Sequence, residues 1–514
     1  MRDYNQIPHK ITAMRELFYS LLGALVSLLC AYFVLRRREV KRGRPLLREL
    51  SEFLGKELNE FPIVTRRFAS VDLANLHVAV EKEAEARSPG GVSDLKFLGY
   101  KLAFGEHQNS LRELLVKEKQ FAMARVGPVQ YRQVDVGVDQ RIQCVQNGLH
   151  LIQYPGRKLI AHVRADKFAG ALELEVMSAS KDLSAGFIEG VLEQIRKENV
   201  YRGKVISLEE ASDNRGRGFG QLEVRFHRLP PILPEEIILP AETRALIERN
   251  TVRFFENAEA LRRSGRSLRR GILLHGKPGT GKTYTAKWLA QSLNGVTVIL
   301  LSGEQLEHVK ECCQLARMLA PAMVILEDID LIASARDEAR HPYFQVTLHQ
   351  LLNEMDGLSS DAEVIFLLTT NRPEAIEPAL AARPGRVDQA IEFPLPDAEC
   401  RRRLLELYGR GITLALADTD GLIQKTEGAS PAFIQELVRK AALIAAEENS
   451  LEDGILRVTD PHCDQAIREL TLGGGELTRN LLGFKHSPVP LEPRRAGKQP
   501  SKRRSKTPQA QAEP

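Results

Sequence analysis

Two short stretches hold residue types able to act on phosphate. The first, GKPGTGKT over 276–283, places Gly276, Gly279 and Gly281 around Lys277, Pro278 and Thr280, and ends in Lys282 and Thr283, with Tyr284 following. Glycines at these positions let the backbone fold back so that its N–H groups point at phosphate oxygens, and a helix opening behind them adds its positive end. Lys282 would reach the outer phosphates as a point charge, and the Thr283 hydroxyl would ligate Mg²⁺. The run follows an apolar strand-like segment (Ile272, Leu273, Leu274) and precedes a helical one, which is the context such a loop requires.

The second stretch, ILEDID over 325–330, is an apolar run ending in Glu327, Asp328 and, one residue on, Asp330. Acids at the carboxyl end of a buried strand sit where an open parallel sheet keeps its ligands. Many phosphate-cleaving proteins have aspartate first and glutamate second; here the order is reversed. The run alone leaves open which of Glu327 and Asp328 holds a metal. Asp330 is expected to cap the next helix.

The elements around these stretches alternate. VTVILLS (296–302) reads as a strand, a helical run follows over 304–319, and VIFLLTTN (364–371) is a further buried strand ending in polar residues. Four apolar runs, each followed by helix or loop, imply a doubly wound sheet with its phosphate site at the strand ends.

The ordered set GKPGTGKT, ILEDID, LLNEMDG (351–357), TTNRPE (369–374) and PALAARPGRVD (378–388), then GASPAFIQELVRKAAL (428–443), is far more specific than any one member. With it, the region 236–480 resembles the AAA family of ATPases. The resemblance implies a P-loop NTPase α/β fold, with a doubly wound parallel sheet over 236–396 and a C-terminal helical lid over 397–482. It implies ATP as ligand and Mg²⁺ as cofactor, held by Thr283 and Glu327. In the family an aspartate holds the metal's hydration shell and the following glutamate polarises the water, so the resemblance implies Glu327 in the metal position, its longer carboxylate absorbed by a flexible Mg²⁺ hydration shell. It implies Asp328 in the base position, where the shorter reach matters more because positioning of the nucleophile carries much of phosphoryl transfer; hydrolysis is expected. Asn371 matches the sensor that orients the attacking water, and Arg383 and Arg386 match arginines that reach into a neighbouring subunit's site. A homo-oligomeric ring, usually a hexamer, would then be the active form. The spacing from Pro378 to Arg383 is one residue longer than the commonest in the family, which leaves open which arginine reaches the phosphate.

The Glu-Asp order, together with a short outer segment, one span and a separate middle domain, is similar to one branch, the mitochondrial inner-membrane AAA translocases of the Rieske iron–sulfur protein. The stretch 302–321 has no aromatic residue and is too short for the aromatic pore loop of family unfoldases, so threading by that grip is not expected. No HExxH zinc-protease motif is present.

Upstream, 17–35 (LFYSLLGALVSLLCAYFVL) has no charged side chain. At ~1.5 Å per residue it spans about one hydrocarbon core. Arg36, Arg37, Arg38, Lys41, Arg42 and Arg44 follow it, whereas only Arg2, Lys10 and Arg15 are the basic residues before it. The rest of the chain is therefore expected on the cytoplasmic side of a bacterial plasma membrane, or the matrix side of a mitochondrion. A cleaved signal peptide would need a shorter apolar run and a small-x-small site. The expected organisation is a short outer segment (1–16), the span (17–35), a juxtamembrane helical region (36–125), a smaller α+β domain (126–235) receiving a partner, the large and lid subdomains, and a disordered basic tail (483–514).

Composition adds bounds. The chain of 514 residues is 43% hydrophobic and 27% charged, enough for several cores. A net charge of +5 gives no whole-chain nucleic-acid signal, and six cysteines without a CxxC pair suggest neither disulfides nor a zinc site. Adjacent Cys312 and Cys313 read as helix-packing residues. The sequence thus points to a membrane-anchored AAA ATPase that remodels or translocates a protein partner; the alternative is a nucleotide-dependent scaffold with negligible turnover. The client is not legible.

Overall fold

The computed structural model describes Ser27 and residues 45–55, 58–87, 94–101, 110–115, 124–166, 171–212, 218–302, 308–330, 351, 353–355, 357, 362–374 and 387–473. The expected span 17–35 (apart from Ser27), the tail 483–514, Arg383 and Arg386 lie outside them. Among the described residues no helix is long and apolar enough to cross a membrane. The chain divides into two compact units: Met1–Ile237 with Ala241–Gly276 and Lys282–Phe393, and Ile238–Pro240 with Lys277–Gly281 and Pro394–Pro514.

The first unit opens on an antiparallel sheet. Its strands are β1 (Ile63–Ala69), β2 (Asp94–Lys101), β3 (Arg125–Gly127), β6 (Leu149–Tyr154), β7 (Arg157–Asp166) and β8 (Ala171–Ser178), ordered β1-β8-β7-β6-β2-β3; β4 (Gln130–Gly137) and β5 (Gln140–Asn147) form a separate hairpin. Side chains alternate across the sheet, as the strand period of two requires. Leu159, Ala161, Leu174 and Val176 pack with Leu76, Val80, Phe187 and Val191 from the helices Leu73–Ala86 and Lys181–Lys197. Ile160 and Met177 face the other way, onto Leu46 and Leu50 of the helix Leu46–Leu54 and onto Leu111.

This corrects the expected division at residue 125. The region 36–125 is not only helical: β1 and β2 belong to the same sheet as β6 to β8. Strand β1 carries exposed Thr65, Arg66 and Arg67 in succession, which hides the alternation a strand normally shows. Residues 81–86 continue the helix Leu73–Ala86, where buried Glu83 pairs with Arg87 at its end.

The second sheet of this unit holds β9 (Val205–Ser212), β10 (Gly218–Phe226), β11 (Arg269–Gly276), β12 (Thr297–Leu301), β13 (Ala322–Leu326), β14 (Val364–Thr370) and β15 (Gln389–Phe393), in the order β10-β9-β12-β13-β14-β11-β15. The five strands from β11 onward pair in parallel. Every residue of β13 and β14 is buried, as expected for strands covered on both faces. The expectation of an all-parallel sheet is corrected at its edge: β9 joins β12 in parallel, and β10 closes on β9 antiparallel, so the sheet is mixed. The expected domain end at 235 is corrected too, because this hairpin completes the sheet of the large subdomain. Cys312 and Cys313, on the helix Val309–Met318, are buried in its core, and burial pushes the Cys313 thiol up to about 12.

The chain from 241 to 263 forms three short helices, Ala241–Asn250, Val252–Glu256 and Ala258–Arg263. The breaks fall where side chains take backbone carbonyls: Thr251 Oγ1 donates to Ile247 O at 2.7 Å and Asn257 Nδ2 to Arg253 O at 2.7 Å.

The second unit has the helices Ala398–Tyr408, Thr419–Lys425, Pro431–Glu447 and Asp460–Arg468 beside a small sheet of β16 (Thr413–Ala415), β17 (Leu451–Glu452) and β18 (Ile455–Thr459). Leu404, Phe433, Leu437, Ala441, Val458 and Ala466 form its core. Local signals start these helices: Asp397 accepts from Cys400 N at 2.7 Å, and Ser430 accepts from Phe433 N at 3.2 Å with Pro431 in the first turn.

Candidate nucleotide-binding site

Strand β11 delivers the glycine run and the helix Lys282–Ser292 leaves it. Gly276 has φ +148°, and a Cβ there would lie 2.5 Å from Phe393 O, so only glycine fits. Lys282 is 5% exposed and its Nζ donates to Gly276 O at 2.8 Å. Burial pushes its ammonium down to about 8, against the pull of Asp328 and Asp330. A buried lysine ammonium is a point charge suited to phosphate oxygens. Thr283 is half-buried; Tyr284 is 43% exposed, with its hydroxyl on Glu236 Oε2 at 3.0 Å.

The intervening residues Lys277–Gly281 fall in the second unit. There Gly279 (φ +74°) accepts a hydrogen bond from Ala432 N at 3.2 Å, at the start of the helix Pro431–Glu447. Thr280 is buried and donates to Lys277 O at 2.8 Å, Gly281 has φ +98°, and Pro278 is exposed.

The acids follow β13, whose register with β14 ends at Leu326 opposite Leu368. Beyond it, Thr369 holds the turn: its Oγ1 accepts from Asp328 N at 3.0 Å and its carbonyl from Ile329 N at 3.0 Å. Asp328 has φ +52°, a conformation that aspartate tolerates better than most residues. Its Oδ1 accepts from Asn371 Nδ2 at 3.1 Å, so two of the sequence-predicted residues meet. Glu327 is half-buried; burial pushes its carboxyl above the ordinary range, Lys287 opposes this and Asp328 adds to it.

Asp330, expected to cap a helix, spends one oxygen across the sheet. Its Oδ1 accepts from Thr370 Oγ1 at 3.0 Å and from Asn371 N at 3.0 Å, while the residues a cap would serve lie outside the described residues. Thr370 Oγ1 in turn accepts from Arg372 N at 3.0 Å. Of TTN over 369–371 the sequence pointed to the asparagine alone. The two threonines hold the backbone and side chains around it, and a hydroxyl pair just before a polar strand end was the available signal.

Hydroxyl and carboxylate oxygens from Thr283, Glu327 and Asp328 are hard donors that fit Mg²⁺. Among the described residues no group of three His, Cys, Asp or Glu could by itself hold a metal.

The family model for "ATPase family associated with various cellular activities (AAA)" matches residues 272–395, from β11 to the end of β15. The chain carries an AAA ATPase domain. This AAA domain lies in the part similar to an ATP-dependent zinc metalloprotease FtsH 1 of Conexibacter woesei, 35% identical over 225 residues, covering 40% of this chain and 34% of that one. An FtsH metalloprotease of Mycobacterium bovis is 33% identical over 234 residues, covering 43% and 30%. A cell division cycle protein 48 homolog of Archaeoglobus fulgidus is 35% identical over 222 residues, covering 39% and 30%. The match thus spans about a third of the length of these relatives.

Proposed function

We propose that the AAA domain hydrolyses ATP, and that the chain, anchored by residues 17–35, works as a homo-oligomeric ring that remodels or translocates a protein partner. The observation that carries the ATPase reading is the 3.1 Å hydrogen bond from Asn371 to Asp328, beside a buried Lys282. That the similar FtsH metalloproteases are ATP-dependent supports the same reading.

In this reading Lys282 and the glycine-run backbone bind the phosphates of ATP. Asn371 orients water, and Asp328 takes its proton as the water oxygen bonds to the γ-phosphorus; the bond to the β–γ bridging oxygen breaks and its electron pair leaves with ADP. Mg²⁺, held by Thr283 and Glu327, would neutralise phosphate charge. Arg383 or Arg386 from the adjacent protomer would meet the charge that develops on the transferred group. Support for the anchor is the uncharged 17–35 run with the basic cluster behind it, which puts the AAA domain on the cytoplasmic side, or the matrix side in a mitochondrion.

Steady-state phosphate release by the purified full chain tests the reading, alongside ATP retention by wild type and Lys282→Ala. Release that Lys282→Ala abolishes together with ATP retention is expected. Equal, negligible release from wild type and Asp328→Asn, with ATP retained by both, would instead make the chain a nucleotide-dependent scaffold.

A further inference from the structure

The breaks at Thr251 and Asn257 turn the chain twice before it enters β11, and the bends enclose a cleft of about 500 Å³. Arg249, Arg253, Arg266 and Arg270 line it with Phe254 and Asn257, and among the described residues no carboxylate does. Arg270 lies over the Phe254 ring at 5.0 Å and donates to Asn250 Oδ1 at 2.9 Å, which fixes one guanidinium in the wall. Arg249, Arg253 and Arg266 are exposed, and among the described residues their guanidiniums have no acidic or hydrogen-bonding partner.

Nearby arginines behave differently. Arg244 pairs with Glu248, Arg262 with Glu259 and Glu363, and Arg263 with Glu259. Glu248 and Glu259 are therefore used outside the cleft, Glu256 is not among the residues that line it, and four positive charges share one concavity. Like charges held together repel, and an anion placed among them removes that cost. Arginine forks match phosphate oxygens two at a time, and the volume is that of a small-ligand site. A single monovalent anion would leave most of the charge unmatched. An extended nucleic-acid backbone asks for a stripe of basic residues, not a cleft.

We infer that this cleft is a second anion-binding site, built for a compact ligand with several clustered phosphates, either free polyphosphate or a multiply phosphorylated lipid headgroup. It shares no residue with the glycine run, and the inference stands whether or not the chain hydrolyses ATP.

Equilibrium dialysis of the full chain in detergent, in Mg²⁺-free buffer and in a Lys282→Ala background that weakens the glycine run, tests it with two probes. These are inorganic tripolyphosphate and the soluble headgroup inositol 1,4,5-trisphosphate. Binding of one probe molecule per chain is expected, weakening steeply with added salt. Loss of at least about tenfold is expected in Arg253→Gln/Arg266→Gln, and a similar loss in Arg249→Gln, all at exposed positions that leave folding intact. Tighter tripolyphosphate binding assigns free polyphosphate as the source; tighter headgroup binding assigns a lipid. Absence of binding by either probe overturns the proposal, as does binding that the arginine substitutions leave unchanged.

Discussion

Asn371 Nδ2 and Asp328 Oδ1 are joined by a 3.1 Å hydrogen bond that bridges the ends of two paired strands. The bond ties one oxygen of the carboxylate to the amide, and in the proposed reaction the other, Oδ2, takes the proton. The backbone is fixed as well, since Thr369 Oγ1 accepts from Asp328 N and Asp330 Oδ1 accepts from Asn371 N. Asp328 and Asn371 are thus held by a frame of three hydrogen bonds across the ends of β13 and β14.

Asp328→Asn removes the proton acceptor and keeps the shape. Phosphate release is expected to fall by about 10²- to 10⁴-fold, the usual contribution of a general base, with ATP retention unchanged. Asn371→Ala should lower release less, since the base remains and only its orientation is lost. Rapid-quench measurement of phosphate alongside filter retention of labelled ATP reads both. Wild-type release from Asp328→Asn would exclude the assigned base.

Asp330 tests the frame without touching the reacting groups. It is 7% exposed, and Asp330→Ala leaves the Asn371 N–H and one Thr370 bond unmade. A loss of about 1–3 kcal/mol in stability is expected from the unsatisfied donors. A fall in kcat of about tenfold, with KM little changed, should accompany it. Asp330→Asn keeps an acceptor oxygen and is expected to restore most of both. A stability loss with kcat untouched would reduce Asp330 to a purely structural role.

What the sequence disclosed follows how local each requirement is. The glycine run and the acids were legible because phosphate chemistry demands those residue types at fixed short spacing. The bond from Thr370 to Asp330 was not legible, because the two lie 40 positions apart and only the β13–β14 pairing brings them together. The hairpin β9–β10 was given to the wrong domain for the same reason: its strands look alike in any sheet, and only pairing with β12 decides the matter. Thr251 and Asn257 broke a run whose composition otherwise favours a continuous helix. The arginine cleft gave no signal, because its residues converge only through those breaks.

Asp72 gives a pH dependence with a definite sign. It is 6% exposed, and burial pushes its carboxyl up from 3.8 to about 6, with hydrogen bonds from Asn75 and the Ala69 backbone opposing. The nearby Tyr201 hydroxyl donates to Val71 O at 2.5 Å, and no cation contributes to the shift. The folded state therefore holds this proton more tightly than the unfolded chain, so stability falls as pH rises from about 4 to about 6 and the full cost persists above. Two pKa units correspond to about 3 kcal/mol at 1.36 kcal/mol per unit. Asp72→Asn should stabilise the protein by up to that amount at pH 7.5, and the gain should vanish near pH 4. Urea unfolding of both proteins at the two pH values measures it; an equal gain at both would assign the effect to packing.

Gly279 links the glycine run to the helix Pro431–Glu447 within the second unit. A Cβ there would approach Ala432 Cβ to 2.8 Å and Ser430 Oγ to 3.1 Å, and φ +74° already disfavours any side chain. Either the loop or the helix start must give way in Gly279→Ala. The loop is the softer of the two, since Ser430 is fixed by its capping bond to Phe433 N. Displaced loop N–H groups no longer converge on phosphate, so ATP affinity is expected to fall about tenfold or more, equivalent to about 1.4 kcal/mol. Gly265→Ala serves as the control: it has a similar φ of +66° with open space around the added atom, and should lose a little stability but no affinity. Displacement of a fluorescent ATP analogue compares the two. Unchanged affinity in Gly279→Ala would mean that the contact with Ser430 and Ala432 does not shape the phosphate loop.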